Sequence, residues 1–212
     1  MQWIVIPYRG PATAKTRLSG CLSDAARRHV SRAMFQHVLN VACATAGARR
    51  VLVVTASNTA ASLAKRAGAA VLRERSQGLN EAVEAACAHL RTRGATTATI
   101  IAADLPLLSR ANLTALNARA SRGHVALAPD RGGTGTNAVA LPLGARFAFK
   151  FGADSFRLHL SQSNGATLPV RVMNHAALAA DVDVPEDLAL LADPAALSTL
   201  PSVEADAYRG FR

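Results

Sequence analysis

An α/β domain, with a mostly parallel sheet and helices on both of its faces, is the fold this chain's patterning calls for. Short apolar, β-branched runs alternate with longer stretches of helical spacing as far as residue 129, giving β-α-β-α-β-α-β-α-β. The strand candidates are apolar at nearly every position, as expected where both faces of a strand are covered. With 212 residues, half of them apolar and 18% charged, the chain suits one core and is too apolar for disorder.

Residues 2–6 read as a short buried strand, and residues 7–20 as a loop rich in Gly, Pro, Thr and cations. Ser23 is placed to cap a long helix with Ala26, Val30, Met34, Val38 and Val41 at helical spacing, and Gly47 to end it. A strand at 51–55, a helix at 58–67 closed by Gly68 and a brief strand at 70–72 follow. Next come a helix at 79–92 stopping at Gly94, a strand at 97–102, a helix capped by Ser109 and running to Arg122, and a strand at 125–128. Beyond this point the rhythm changes. A glycine-rich loop leads to a strand at 138–141, a helix at 154–162, a strand at 168–172 and a last helix starting at Pro185. The tail at 193–212 has little periodicity, and no linker or repeat divides the chain, so residues 1–212 are read as one domain.

Lys and Arg number 24 against 14 Asp and Glu, a formal charge of +10 that favours an anionic partner. The cations are spread without a block of like charge, and aromatics make up 4% of the chain. Both facts argue against nucleic-acid binding as the main function. No apolar run approaches the roughly 20 residues of a membrane helix, and the N-terminus lacks a basic leader. A cytoplasmic protein is expected. Cys21, Cys43 and Cys87 are odd in number and form no CxxC, which disfavours a disulfide framework or a structural zinc site.

In an open parallel sheet, ligands bind beyond the carboxyl ends of the strands, where the strand order reverses. The polar segments of this chain fall in that class of position. Arg9, Lys15 and Arg17 lie among small residues after the first strand, suited to a triphosphate, with a solvated basic loop as the alternative. The GxxxxGK[ST] of a Walker loop is absent. Asp104 directly follows the strand of TTATIIAAD, where a carboxylate can hold Mg²⁺ together with phosphates or cap the turn before Pro106. Asp181 and Asp183 are spaced i, i+2 and share one face of an extended segment. They suit the same metal, and one of them also suits a cap for the helix at Pro185. The glycine-rich stretch 131–137 and the stretch 151–156 suggest a second anion pocket facing the first, although hairpin turns use the same residues. His29, His37, His89 and His159 fall in helices and read as packing or surface residues. With neither a GxSxG elbow nor a Cys–His signal, metal-assisted phosphate chemistry is preferred over covalent catalysis.

Taken in order, VIPYRGPATAKTRL, QGLNEAV, IIAADLPLL, APDRGGTGTNAVALP, FKFGADSF and DVDVPEDL resemble the CofC family of phospholactate guanylyltransferases, over about residues 3–190. The resemblance implies a single-domain, Rossmann-like nucleotidyltransferase fold of the GT-A kind. It implies Mg²⁺-dependent transfer of GMP from GTP to the phosphate of 2-phospho-L-lactate, phosphoenolpyruvate or 3-phospho-D-glycerate, with release of diphosphate. The pathway implied is deazaflavin coenzyme F-420 biosynthesis, with hand-over of the product to the downstream deazaflavin transferase. By the same resemblance Lys15 and Arg17 are catalytic residues on the triphosphate, and Arg9, Gly78 and Asn80 lie against the nucleotide. Thr136, Gly152 and Ser155 hold the phosphate of the acid, and Asp104 and Asp183, with Asp181 beside them, hold the metal. One departure is Arg9-Gly10, where the family usually has Lys-Pro. Read as a glycine that opens space and an arginine that reaches further, it leads us to expect better use of 3-phosphoglycerate. The rival readings are a molybdopterin guanylyl- or cytidylyltransferase, whose opening loop LAGGxSxRMGxDK is absent here, a GT-A glycosyltransferase, and a non-catalytic basic protein that binds nucleic acid.

Overall fold

The computed structural model describes residues 1–10, 15–73, 78–163 and 169–192. The expected tail at 193–212, part of the first loop and the start of the strand expected from Leu168 lie outside them. In chain order the elements are β1 (Gln2–Pro7), α1 (Asp24–Ala46), β2 (Val51–Thr55), α2 (Asn58–Arg66), β3 (Ala70–Arg73), α3 (Leu79–Arg91) and β4 (Thr97–Ile101). They continue with α4 (Arg110–Ser121), β5 (Val125–Pro129), β6 (Thr136–Pro142), α5 (Ser155–Ser163), β7 (Val170–Val172) and α6 (Ala176–Ala179). The helix starts expected from Ser23 and Ser109 form as read. Ser23 accepts from the Ala26 N–H, and Ser109 and Asn112 make a reciprocal capping box.

The strands form one sheet in the order β3-β2-β1-β4-β6-β5-β7. β1 pairs in parallel with both β2 and β4, so the chain winds outward in opposite directions from this central pair. The crevice above the carboxyl ends of β1 and β4 is therefore the switch point where a ligand is expected. β6 runs antiparallel to both its neighbours, unlike the rest of the sheet. The cause is local, because the short connection from β5 permits only an antiparallel return. Asp130 organises that hairpin: its carboxylate accepts from the Thr134 N–H at 2.9 Å, and Gly133 takes the positive φ of 67° that the turn requires.

Alternate strand residues feed two cores. Ile4, Ile6, Val51 and Val53 pack under Phe35, Val38 and Leu39 of α1 and Leu113 and Leu116 of α4. On the other face Trp3, Val5, Leu52 and Val54 meet Val83, Cys87 and Leu90 of α3, with Phe156 and Leu160 of α5 packed alongside. A third, smaller cluster matters more for the site. Leu18, Leu22, Val30 and Met34 pack against Val182, Leu188 and Leu191, which ties the first loop to the DVDVPED segment across the molecule.

Two elements differ from the sequence expectation. Residues Pro185–Ala192 form a 3₁₀ helix rather than an α-helix. Its start is capped by Asp187, whose Oδ2 accepts from the N–H groups of Asp183 and Val184 at 2.9 and 3.0 Å. Helix α6 was not anticipated, since a four-residue turn is too short to show periodicity. Among the described residues, no helix is long and apolar enough to cross a membrane.

Candidate active site

A cleft of about 310 Å³ opens above the ends of β1 and β4. Its walls include Tyr8, Arg9, Gly10 and Lys15 from the first loop, Ala103 and Asp104 after β4, Leu79 at the start of α3, and Asp183. Tyr8 is fixed as a wall by stacking on Phe35 at 4.3 Å and by a 2.9 Å hydrogen bond between its hydroxyl and Ser31. Lys15 has left-handed backbone angles, φ 59° and ψ 40°, immediately before a 3₁₀ turn at Thr16–Leu18. A residue with a Cβ holds that conformation at a cost of roughly 1–2 kcal/mol, offset here by Leu18, fully buried in the third cluster.

The Lys15 ammonium sits between two carboxylates. It donates to Asp104 and, at 2.7 Å, to Asp183 Oδ1. Its side chain is 7% exposed, against 27% for Asp104 and 49% for Asp183. Burial alone would lower the lysine's pKa, but the attraction of Asp104 and Asp183 outweighs it and the net shift is upward. The ammonium therefore remains charged at neutral pH. The lysine's contribution to fold stability is present below its unfolded value of about 10.4 and is lost as pH rises through the higher folded one. Asp104 thus spends its carboxylate on Lys15 rather than on the turn before Pro106, and the cap at Pro185 falls to Asp187, not to Asp181 or Asp183.

Two carboxylates converging on one cation at a strand end are also a donor set for a hard divalent ion. Such an ion needs only one or two protein carboxylates when phosphates complete its shell. Asp104 and Asp183 fit that requirement. Asp181 stands apart: Asn137 Nδ2 donates to its Oδ1 at 2.9 Å and to the Leu178 carbonyl at 3.0 Å. Burial pushes the Asp181 carboxyl up against the pull of Asn137, and the charges of Asp104 and Asp183 add to the rise. Among the described residues no set of three acids, histidines or cysteines gathers on one point.

The stretches 131–137 and 151–156 do come together, though not as the sequence suggested. The first is the β5–β6 hairpin turn. Two amides at the start of α5 are already used, because Ser155 N–H donates to the Gly152 carbonyl at 3.2 Å and Phe156 N–H to the Thr134 carbonyl at 3.0 Å. What remains on that side are the hydroxyls of Thr136 and Ser155, 9% and 1% exposed, and the positive-φ turn of Gly152 and Asp154. None of Thr136, Gly152 and Ser155 lines the cleft of the first loop. His159 of α5 is fully buried, with Nδ1 3.0 Å from Thr136 Oγ1 and Nε2 accepting from the Lys150 N–H at 2.8 Å.

Other residues singled out from the sequence have mixed placements. Arg9 lines the cleft, whereas Arg17 lies exposed on the 3₁₀ turn and is not part of its wall. Gly78 caps α3 beneath the Glu81 carboxylate, which a Cβ at 78 would strike. Asn80 is a clamp: its Oδ1 accepts from the Phe151 N–H at 2.7 Å and its Nδ2 donates to the Phe151 carbonyl at 3.2 Å. It joins the start of α3 to the 147–152 segment. Gly10 does not open space as expected. With φ 107°, its missing Cβ faces Ser57, and an added one would lie 2.7 Å from Ser57 Cβ. Proline, fixed near φ −65°, cannot take the backbone angles of Gly10. Sequence reasoning missed Asn137, Asp187 and the role of Tyr8. Asp187 also pairs with Arg131 at 3.3 Å, linking the hairpin to the acidic segment.

Comparison with known proteins identifies the family. The family described as guanylyl transferase, CofC-like, matches residues 2–192. A phosphoenolpyruvate guanylyltransferase from Chloroflexus aggregans is 35% identical over 189 residues, covering 87% of this chain and 94% of that protein. A 3-phospho-D-glycerate guanylyltransferase from Phenylobacterium zucineum is 37% identical over 189 residues, covering 86% of each. A candidate nucleotide-diphospho-sugar transferase from Desulfovibrio desulfuricans G20 shares the fold, with TM-score 0.71 and 17% identity over 90% of this chain and 85% of that one. With a switch-point cleft carrying Lys15, Asp104 and Asp183, and with this likeness along nearly its whole described length, the chain belongs to the CofC-like guanylyl transferase family and is a nucleotidyltransferase.

Proposed function

We propose that the chain transfers GMP from GTP to the phosphate of a small phosphorylated carboxylic acid, releasing diphosphate, as a step of coenzyme F-420 biosynthesis. The observation that carries the reading is the Lys15 ammonium held between Asp104 and Asp183 at the carboxyl ends of β1 and β4. Both reactants are anions, so the site must offset their repulsion and the charge that grows on the departing diphosphate. Lys15 supplies one fixed positive charge at this point, and Arg9 and Arg17 border the same loop. Asp104 and Asp183 are the residues to hold Mg²⁺, which when bound neutralises phosphate oxygens and polarises the phosphorus under attack. The acid's phosphate is already ionised near neutral pH, so no side chain has to remove a proton from it.

On the acid side we assign Thr136, Gly152 and Ser155 to the acceptor phosphate. Relatives named for phosphoenolpyruvate and for 3-phospho-D-glycerate are 35% and 37% identical to this chain, each over 189 residues. We therefore expect more than one acid to be used, with a modest preference, because extra room discriminates less than a dedicated hydrogen bond. Competition among 2-phospho-L-lactate, phosphoenolpyruvate and 3-phospho-D-glycerate, with GTP and Mg²⁺ and with products separated by mass, checks this. Guanylylated product from at least two acids is the expected result. A single acid used to the exclusion of the others contradicts the modest preference, and no product from any acid contradicts the function.

A further inference from the structure

We infer that His159 is the positioning residue of the acid half: it holds the Thr136 hydroxyl as a hydrogen-bond donor aimed at the acceptor's phosphate. The inference rests on the assignment of Thr136 to that phosphate, and it begins from proton counting. The backbone N–H of Lys150 can only donate, so the ring nitrogen it meets at 2.8 Å, Nε2, must be the bare one. A neutral imidazole then carries its proton on Nδ1, which donates to Thr136 Oγ1 at 3.0 Å. The hydroxyl accepts from the ring and keeps its own proton for another partner. With the opposite tautomer, Thr136 would spend its proton on the ring and show only lone pairs to an anion.

The ring's surroundings hold it in this state. It is fully buried, packed near Phe147 at 5.4 Å and edge-on to Phe151 at 5.0 Å. Burial pushes its pKa down to about 4, so it remains neutral where the enzyme would work. The segment that presents Gly152 is pinned from two sides, by His159 at Lys150 and by Asn80 at Phe151. The amides of Ser155 and Phe156 already have protein partners, so an oriented hydroxyl adds to what this side can offer a phosphate.

The test compares Thr136→Val, His159→Gln, His159→Asn and the Thr136→Val/His159→Gln pair. Gln places an acceptor near Nε2 but no donor at Nδ1, whereas Asn places an amide donor near Nδ1. We expect Thr136→Val and His159→Gln each to raise the KM of the acid by about tenfold or more, the scale of one hydrogen bond to a charged group. The KM of GTP should stay within about twofold, the double variant should be no worse than either single one, and Asn should recover much of the loss. If Thr136→Val raises the acid's KM and His159→Gln does not, His159 only packs and the inference falls. If Thr136→Val leaves the acid's KM unchanged, the acid-site assignment itself fails. Nitrogen-15 NMR of the histidine ring in the unmodified protein gives an independent check should His159 variants not fold. A ring protonated at Nδ1 near neutral pH is expected, and one protonated at Nε2 overturns the inference.

Discussion

Asp104→Asn lowers guanylyl transfer by about 100- to 1,000-fold, the loss expected when one preorganised charge is removed from a phosphoryl-transfer site. The asparagine keeps the shape of the aspartate and loses its charge, both toward Lys15 and toward a divalent cation. The same change also affects the fold. Lys15 is 7% exposed and keeps Asp183, so losing Asp104 leaves a nearly buried ammonium half compensated. Breaking a fully buried pair costs more, but the exposure of both carboxylates and the remaining partner reduce the penalty to about 1–2 kcal/mol. That corresponds to a melting temperature lower by roughly 3–6 °C for a chain of this size. Steady-state kinetics beside a thermal melt separates the two effects. Near-normal turnover at saturating Mg²⁺ would exclude Asp104 from the metal site.

Lys15→Ala is expected to lower kcat about 100-fold and to weaken GTP as well, because an ammonium that meets growing charge on the leaving group acts more strongly in the transition state than in the ground state. It has a second, opposite signature. With the ammonium gone, Asp104 and Asp183 face each other without a cation, and the apo protein should bind Mn²⁺ more tightly, by about tenfold. Mn²⁺ titration in the absence of nucleotide reads this directly. Unchanged Mn²⁺ affinity would show that Lys15 does not share the cation's position. A rise confined to the KM of the acid would move Lys15 to the other half of the site.

The strand–helix rhythm to residue 129 was legible because buried parallel strands and their covering helices leave distinct periodicities, and because Ser23, Ser109 and Gly47 punctuate the helices. The Lys15, Asp104 and Asp183 constellation was legible for a related reason. Asp104 directly follows an apolar strand, Lys15 lies in a loop of small residues and cations, and Asp183 shares an extended acidic segment with Asp181, placements that point to a ligand. Contacts across the sheet were not legible. The reversal of β6 depends on a six-residue turn whose glycines look the same in a phosphate loop. Asn80 reads as a nucleotide residue from its motif, yet its amide is taken by Phe151, 71 positions away. Gly10 reads as open space, yet its missing Cβ faces Ser57. His159 reads as packing, because its partner Thr136 lies on another element and its proton is set by a backbone amide.

The central claim is that GTP and a phospho-acid are brought together for direct transfer, with no guanylylated enzyme between them. Incubation with GTP labelled at the α-phosphorus and Mg²⁺, with and without phosphoenolpyruvate, tests it most directly. The account predicts that diphosphate is released only when the acid is present, that the label moves to the acid in equal amount, and that none stays on the protein. Label retained on the protein, or diphosphate released from GTP at the same rate without the acid, would contradict it.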